Sequence, residues 1–310
     1  MTEISTDLAE ALVVDIVNRK GSVEHYYHFL LGFLAPLIQL ITTLRDDAST
    51  ICVRSCGPMD GLIREVLPNG IKILPKLEHA LLLNEARSSN NPKLRFKTIY
   101  GFDNRSYYDR AAFRCLKREL EARLFAGVEC EKRALRDAFP ATGPKIVFID
   151  RGDPTLLYST GDSEITSAGR DRRSIKNFSE CSDFLLSRNL NLLPCTLEGR
   201  SLSFQIALFD TADIVIAQHG AALTNLVWAD EKLDVVEIIP RDRTQKSDHF
   251  KSLAHCLGQR YHSLAQGQSH GPIDCEMLAR ALAKIVSDKA KPRNSGGLFA
   301  RIGNLLRSHW

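Results

Sequence analysis

The chain has 310 residues, of which 44% are hydrophobic and 25% charged, and its formal net charge is +4. This composition is ordinary for a globular protein, so wholesale disorder is excluded, and the length allows one large domain or two of about 150 residues. The charge is too small to indicate nucleic-acid binding, and no stripe of basic and aromatic residues is present, so we expect no nucleic-acid partner.

The N-terminal half predicts a parallel sheet with one long helix after its first strand. The helix is "EHYYHFLLGFLAPLIQLITTL", and Glu24 and His28 are four residues apart on it, so they share a face. A histidine beside a carboxylate suits a general base, whereas the alternative is a buried His28 in a helix packed on the sheet. The candidate strands are "ALVVDIV", "TICVRS", "IKIL" and "ALLL".

The C-terminal half alternates strand and helix patterns with short connections. Such alternation indicates a parallel sheet covered on both faces, with ligands at the carboxyl ends of the strands. Ser201 is expected to cap a helix over 201–212, and Gly258 to end another. The predicted strands are "KIVFID", "LNLLPC", "DIVIA", "DVVEIIP" and "YHSLA".

We therefore expect an α/β fold of two Rossmann-like domains. A charged helical run at 110–139 and the turn-rich "PATGP" place the boundary near residue 142. The predicted domains are 1–142 and 143–288, followed by a basic tail at 289–310.

One strand-to-helix turn has an unusual composition. The strand "DIVIA" runs into "QHGAALTN", where a glycine allows a tight turn and the next helix offers unpaired N–H groups to an anion. The alternative is a packing turn with a satisfied histidine. The candidate anion-binding residues here are His219, Gly220, Ala221, Thr224 and Asn225.

Two further features suit a nucleotide. Arg151 directly follows a strand, and Arg172 and Arg173 lie in "GRDRRSIKN", where planar guanidinium groups suit a diphosphate unless the run is simply a solvated face. Glu237 stands among apolar residues in "VVEIIP". A buried carboxylate needs a partner, either two ribose hydroxyls or an arginine.

These segments, in this order, resemble glycosyltransferase family 61. The C-terminal segments are "RRSIKN" (172–177), "TADIVIAQHGAALTN" (211–225) and "VVEIIP" (235–240). "YYHFLLGFLAPL" (26–37) is similar to the family's N-terminal segment, in which an acidic residue often stands at the position of Gly32. The resemblance covers about residues 20–265.

The resemblance implies a GT-B fold and inverting transfer of a sugar from a nucleoside diphosphate, for which we expect UDP, to a hydroxyl of a glycan or a lipid-linked acceptor. It implies His28 or Glu24 as the base. No D-x-D triplet occurs in the sequence, so we expect a metal-independent reaction without a cofactor. The implied donor-binding residues are Arg151, Arg172, Arg173, Asn177, His219, Gly220, Ala221, Thr224, Asn225 and Glu237.

Two rival functions remain open at this point. A dinucleotide-dependent oxidoreductase also has Rossmann-like domains, but no G-x-G-x-x-G follows a candidate strand. The other rival is a family member that binds a sugar nucleotide or a glycan without catalysis. Slow hydrolysis of the donor would separate this binding protein from an enzyme.

The C-terminal segment "GGLFARIGNLLRSHW" gathers apolar residues on one helical face. Residues 298–310 are therefore open to two interpretations, a membrane-surface helix or a helix docked on the protein itself. The N-terminal sequence is acidic and lacks the pattern of a signal peptide. We expect a cytoplasmic protein, with peripheral attachment at the inner face of the membrane as an open alternative.

Overall fold

The structure is a computed structural model that describes residues 10–44, 50–67, 69–153, 169–242 and 248–290. The tail interpretation for 298–310 falls outside these ranges. The chain divides into two compact units, Met1–Ile273 and Asp274–Trp310. Both sheets belong to the first unit. The two domains predicted at 1–142 and 143–288 stay a prediction.

The first sheet has four parallel strands in the order β3-β2-β1-β4. Counted along the chain, this order reverses direction between β1 and β4, which makes the gap between their carboxyl ends a switch point. The strands are β1 (Ala11–Val17), β2 (Thr50–Arg54), β3 (Ile71–Leu74) and β4 (Leu94–Tyr100).

One strand of this half was predicted wrongly. "ALLL" (80–83) lies inside a 13-residue helix, because His79, Leu82, Leu83 and Ala86 are buried at the three- and four-residue spacing of a helix face. The fourth strand is β4 instead. Its residues are mostly exposed, so it lacks the apolar pattern by which the other strands were predicted.

The long helix after β1 forms as predicted, but it starts later and contains an irregular turn. It consists of α1 (Tyr26–Phe29), a π-helical turn at Leu30–Leu34 and α2 (Ala35–Thr43). By length and composition, Tyr26–Thr43 could cross a membrane. Most of it is buried, with Phe29, Leu30, Phe33, Leu34 and Leu37 fully enclosed, so it is the core helix of this half.

Four further α-helices lie in the described part of the first half: α3 (Asp60–Val66), α4 (Lys76–Ser88), α5 (Arg110–Arg123) and α6 (Phe125–Ala138). The charged run predicted as one helix is two, because Leu124 leaves the helical conformation. The two helices pack differently. Helix α5 buries Phe113, Leu116 and Leu120, whereas α6 buries Val128 and Leu135.

The second sheet has five parallel strands in the order β6-β5-β7-β8-β9, as the alternation predicts. Its direction reverses between β5 and β7, where a doubly wound sheet places its ligand. The strands are β5 (Ile146–Asp150), β6 (Leu192–Thr196), β7 (Ile214–Gln218), β8 (Asp234–Pro240) and β9 (Arg260–Gln266).

The helices of this half also follow the prediction. Ser201 caps its helix by accepting the amide of Phe204, and Gly258 ends another with a left-handed φ of 81°. The segment after β7 is a 3-10 helix, Ala221–Trp228. The α-helices are α7 (Gly169–Arg172), α8 (Phe178–Ser187), α9 (Leu202–Thr211), α10 (His249–Leu257) and, in the second unit, α11 (Cys275–Ala290). Two parallel sheets with these helices are compatible with a Rossmann-like α/β fold.

Candidate active site

Arg151 and His219–Gly220 meet at the switch point of the second sheet. Arg151 directly follows β5, and the His219–Gly220 turn follows β7, its neighbour in the sheet. The Arg151 guanidinium donates from Nε to the Gly169 carbonyl at 2.9 Å and from Nη1 to the His219 carbonyl at 3.4 Å. The fold thus aims a cation at the backbone of the unusual turn.

The predicted reason for glycine at position 220, a tight turn, does not apply. Its φ of 166° is extended backbone that any residue adopts, so the turn itself does not require glycine. A Cβ at this position would lie 2.1 Å from Nη1 of Arg151. A side chain at this position would displace the Arg151 guanidinium from the place that it occupies beside the turn.

Arg173 reinforces this arrangement from the helix-α7 side. Its Nη1 donates to the same His219 carbonyl at 2.7 Å, so two guanidinium groups converge on one oxygen. Arg172 beside it is exposed. Arg151 from the end of β5, with Arg172 and Arg173 from the end of α7, makes the site electropositive, and guanidinium groups match the paired oxygens of phosphates.

These arginines line a cavity of about 500 Å³. A cavity of this size suits a nucleotide-sized ligand. The predicted residues on its wall are Arg151, Arg172, Arg173, Gly220, Ala221 and Asn225. Residues that the sequence did not single out include His25, Met59, Leu62, Glu198, Arg200 and Gln218.

His219 and Glu237 form a buried pair behind this wall. Nδ1 of His219 bonds to Oε1 of Glu237, and the hydroxyl of Tyr261 donates to Oε2. Glu237 is paired with a histidine and a tyrosine instead of the arginine considered as an alternative, and neither it nor His219 is among the residues lining the cavity. Its assignment to the ribose stays a prediction.

Asn225 links the two halves of the unit. It is fully buried, and its Oδ1 accepts from the Tyr26 hydroxyl and from the Trp228 indole, both at 2.7 Å. Its Nδ2 donates to Gln205 at 2.9 Å. The neighbouring Thr224 hydroxyl is buried without a hydrogen-bond partner among the described residues. Asn225 therefore positions Tyr26, which lines the cavity from the first half.

Asn177 is not part of the cavity wall, and its side chain bonds the backbone of another segment. Its amide donates to the Ile273 carbonyl at 3.0 Å and accepts from the Ile273 amide at 2.9 Å. This two-way bond fixes the start of α8 against the segment after β9. A donor-binding role for Asn177 stays a prediction.

The two base candidates do not sit together as the helix pattern predicts. The helix begins at Tyr26, so Glu24 precedes it, and its carboxylate, 2% exposed, accepts from Nζ of Lys76 at 2.9 Å. The carboxylate that bonds His28 is Asp103, with 2.7 Å between Nδ1 and Oδ2. The expected spacing was wrong because it assumed a helix that started two residues earlier.

His25 is a functional candidate that no sequence pattern indicated. It lines the cavity, and its ring centroid is 6.5 Å from that of His28. Burial and, after it, the positive charge of Arg172 lower the pKa of His25 to about 4. The imidazole is therefore neutral at pH 7 and can exchange hydrogen bonds with a ligand.

Within the described ranges, no group of three or more His, Cys, Asp or Glu side chains could hold a metal ion. Metal independence stays a prediction, since the reaction itself must be tested.

Comparison with known proteins matches the same part of the molecule. The family described as Glycosyltransferase 61 matches residues 26–236, from the start of α1 to the middle of β8. This span includes the arginines, the His219–Gly220 turn and the His28 helix. No curated protein matches the chain. By the extent of the family match, the chain belongs to glycosyltransferase family 61 and is a glycosyltransferase that takes a sugar donor and a glycan acceptor.

Proposed function

We propose that the protein transfers a sugar, with inversion and without a metal or cofactor, from a nucleoside diphosphate to a hydroxyl of a glycan or a lipid-linked acceptor. UDP is the expected nucleotide. The observation that carries this proposal is the convergence of Arg151, Arg172 and Arg173 on one cavity at a switch point. The proposal includes a GT-B arrangement, with residues 1–142 on the acceptor side and 143–288 on the donor side.

The arginines match the charge that develops during transfer. When the bond from the anomeric carbon to the diphosphate breaks, the electron pair leaves with the diphosphate, whose charge must be stabilised. Arg151 and Arg173 are already held by the His219 carbonyl, so they need little reorganisation when a ligand enters. Such preorganised donors contribute most in a site that excludes water.

The acceptor hydroxyl must lose its proton as it attacks the anomeric carbon. His28 is the better base, because His25 with its pKa of about 4 accepts a proton weakly near pH 7. The Glu24 carboxylate is buried and already bonded to Lys76, so it is not free to meet an acceptor hydroxyl. Attack opposite the departing diphosphate inverts the anomeric configuration.

The test is turnover of a panel of UDP-sugars and other nucleotide sugars with a simple glycan acceptor, in the presence and absence of EDTA. We expect release of the nucleoside diphosphate, a product whose anomeric configuration by NMR is opposite to that of the donor, and the same rate with EDTA. Retention of configuration or loss of activity with EDTA would contradict the mechanism. Donor binding with neither transfer nor hydrolysis would favour the non-catalytic alternative.

The membrane contact through 298–310 and the cytoplasmic location are part of the same proposal, since a lipid-linked acceptor lies at a membrane surface. Liposome flotation of the full chain and of a chain ending at Asp288 tests the contact. We expect only the full chain to float with anionic liposomes. Equal flotation of both chains would contradict a membrane role for the tail.

A further inference from the structure

The His28–Asp103 pair lies at the switch point of the first sheet. Arg19 and Lys20 follow β1, and Asp103 follows β4, the strand on the reversed side of β1. Doubly wound sheets place ligands at this position. The second sheet has its arginine cavity at the corresponding place, so the first sheet presents a second site of the same topological kind.

Asp103 is held as a carboxylate although it is fully buried. Its Oδ1 accepts from the Arg19 amide at 2.7 Å, and its Oδ2 accepts from the Lys20 amide at 3.2 Å and bonds Nδ1 of His28 at 2.7 Å. Burial alone opposes the charge, but the bonds from His28 and these two amides outweigh it and hold the pKa of Asp103 below its usual value.

Three glycines surround the pair and leave no room for side chains. A Cβ on Gly32, which lies in the π-helical turn, would be 2.8 Å from Cγ of Asp103. One on Gly101 would be 2.6 Å from the Gly32 backbone and 2.9 Å from Oδ1 of Asp103. A Cβ on Gly21 would be 2.3 Å from Nε2 of His28. Irregular π-helical turns of this kind are frequent at functional sites.

The geometry assigns one tautomer to His28. Because the ionised Asp103 can only accept, Nδ1 of His28 must donate its hydrogen, and in the neutral ring Nε2 is then the acceptor. The side chain is 18% exposed, and the ring packs closely on Gly21, where any side chain would clash with Nε2. A proton acceptor is thus presented at the edge of the switch point.

We propose that Asp103 is the positioning residue of the transfer reaction, holding His28 in the tautomer whose Nε2 takes the proton of the acceptor hydroxyl. This inference rests on the proposed function. In the step, the hydroxyl O–H bond breaks as the oxygen bonds to the anomeric carbon, the proton moves to Nε2, and the diphosphate leaves with the electron pair. Asp103 stays ionised and stabilises the imidazolium that forms.

Asp103→Asn separates positioning from simple packing. The short bond from the Arg19 amide retains the side-chain oxygen at the Oδ1 place, which puts the NH₂ group against Nδ1 of His28 and gives up the longer bond from the Lys20 amide. The amide then donates to Nδ1, and the hydrogen of the ring moves to Nε2. We expect kcat to fall roughly 10²–10⁴-fold, the usual contribution of a general base, with little change in KM for the donor.

Two measurements accompany the kinetics. Nitrogen NMR of the His28 ring reports which nitrogen carries the hydrogen, and it should change between the wild type and Asp103→Asn. The matched control is Asp15→Asn, which removes a carboxylate of β1 that pairs with Arg87 at 2.7 Å. It should leave both kcat and the His28 tautomer unchanged.

A variant that moves the carboxylate to another position distinguishes a positioning role of Asp103 from a loss of folding. In Gly32→Asp with Asp103→Ala, the new carboxylate starts from a Cβ that lies 2.8 Å from the former Asp103 Cγ and 3.0 Å from Cβ of Asn18, which must shift slightly. We expect it to recover at least tenfold of the kcat lost in Asp103→Ala alone. A purely structural role for Asp103 predicts no such recovery.

The outcomes distinguish this inference from the proposed function. If the wild type transfers sugar but Asp103→Asn keeps its kcat, or the His28 tautomer does not change, the positioning role is wrong. If the wild type transfers no sugar from any nucleotide sugar, the proposed function fails first, whatever the tautomer. A folded relocation variant without recovery also counts against the inference.

Discussion

The two sheets each carry a histidine bonded through Nδ1 to a buried carboxylate near a switch point, and the two pairs differ in their surroundings. Glu237 takes its other bond from the Tyr261 side chain, whereas Asp103 takes two from backbone amides. Arginines converge on the carbonyl of His219, and none bonds His28 in the described residues.

The different surroundings suit the two histidine–carboxylate pairs to different steps of the transfer. Next to His219 the backbone carbonyl gathers two cations, which suits the stabilisation of an anionic leaving group. Around His28 the carboxylate is charged and Gly21 places no side chain against Nε2, which suits the acceptance of a proton. We infer that the His28–Asp103 pair acts on the acceptor and that the His219–Glu237 pair supports the donor site.

Substitution of the two histidines should give the largest effects and can break this comparison. His28→Gln should lower kcat roughly 10²–10⁴-fold with donor binding unchanged, because only the base is lost. His219→Gln should raise KM for the donor as well, because the turn that holds the arginines is disturbed. Steady-state kinetics with donor titration separates the two. If His28→Gln and His219→Gln changed the donor KM equally, the assignment of the two pairs to acceptor and donor would be wrong.

The next largest effect is expected at the arginine cavity. Arg173→Ala should lower kcat/KM for the nucleotide sugar about 10²–10³-fold, as removal of a transition-state donor does elsewhere. Lys176→Ala is the matched control, since Lys176 is exposed in the same segment and outside the cavity wall. Kinetics and thermal melting of both variants are compared. Unchanged turnover in Arg173→Ala would remove its role in donor binding.

A smaller effect should come from Gly220→Ala. Because φ is extended, the added methyl strains no backbone, but it displaces the Arg151 guanidinium. We expect donor affinity to fall about tenfold, a loss of roughly 1.4 kcal/mol, with the fold intact. Gly61→Ala is the control, because Gly61 also lines the cavity and its Cβ would meet nothing within 4 Å. Titration calorimetry with UDP measures both.

The arginine cavity of the second sheet was largely predictable from the sequence, and the surroundings of His28 were not. Gly220, Arg151 and Arg173 lie beside strands whose apolar runs are easily recognised, and parallel register brings neighbouring carboxyl ends together. His219 follows β7, and Glu237 lies 18 residues later in the neighbouring β8. The register of the sheet brings them together, although the sequence analysis paired Glu237 with a ribose or an arginine instead.

Asp103 shows why the rest was missed. It is 75 residues from His28 and follows β4, an exposed strand without the apolar pattern. Its position depends on the topology of the sheet, which composition does not specify. The acidic residue expected by resemblance at position 32 is a glycine here, and the Asp103 carboxyl lies where that side chain would begin. His25 was missed for a similar reason. Its lowered pKa depends on burial and on Arg172, which lies far away in the sequence.

The last prediction concerns stability and not turnover, and it involves His25, which lines the arginine cavity three residues before His28. Burial first, and Arg172 second, lower its pKa to about 4, whereas in the unfolded chain the imidazole binds a proton below about pH 6.5. Stability should therefore fall between pH 6.5 and pH 4, where only the unfolded state gains the proton.

His25→Gln should reduce that fall by roughly 1–3 kcal/mol at most, since the ring is only half-buried, and exposed His255→Gln should not. Urea unfolding across this pH range measures the difference. Saturating UDP should reduce the difference in stability between His25→Gln and the wild type. A bound diphosphate beside Arg172 would offset the positive charge that is the second-largest cause of the lowered His25 pKa. A fall that is as steep in His25→Gln as in the wild type would show that His25 is not held neutral between the two sites.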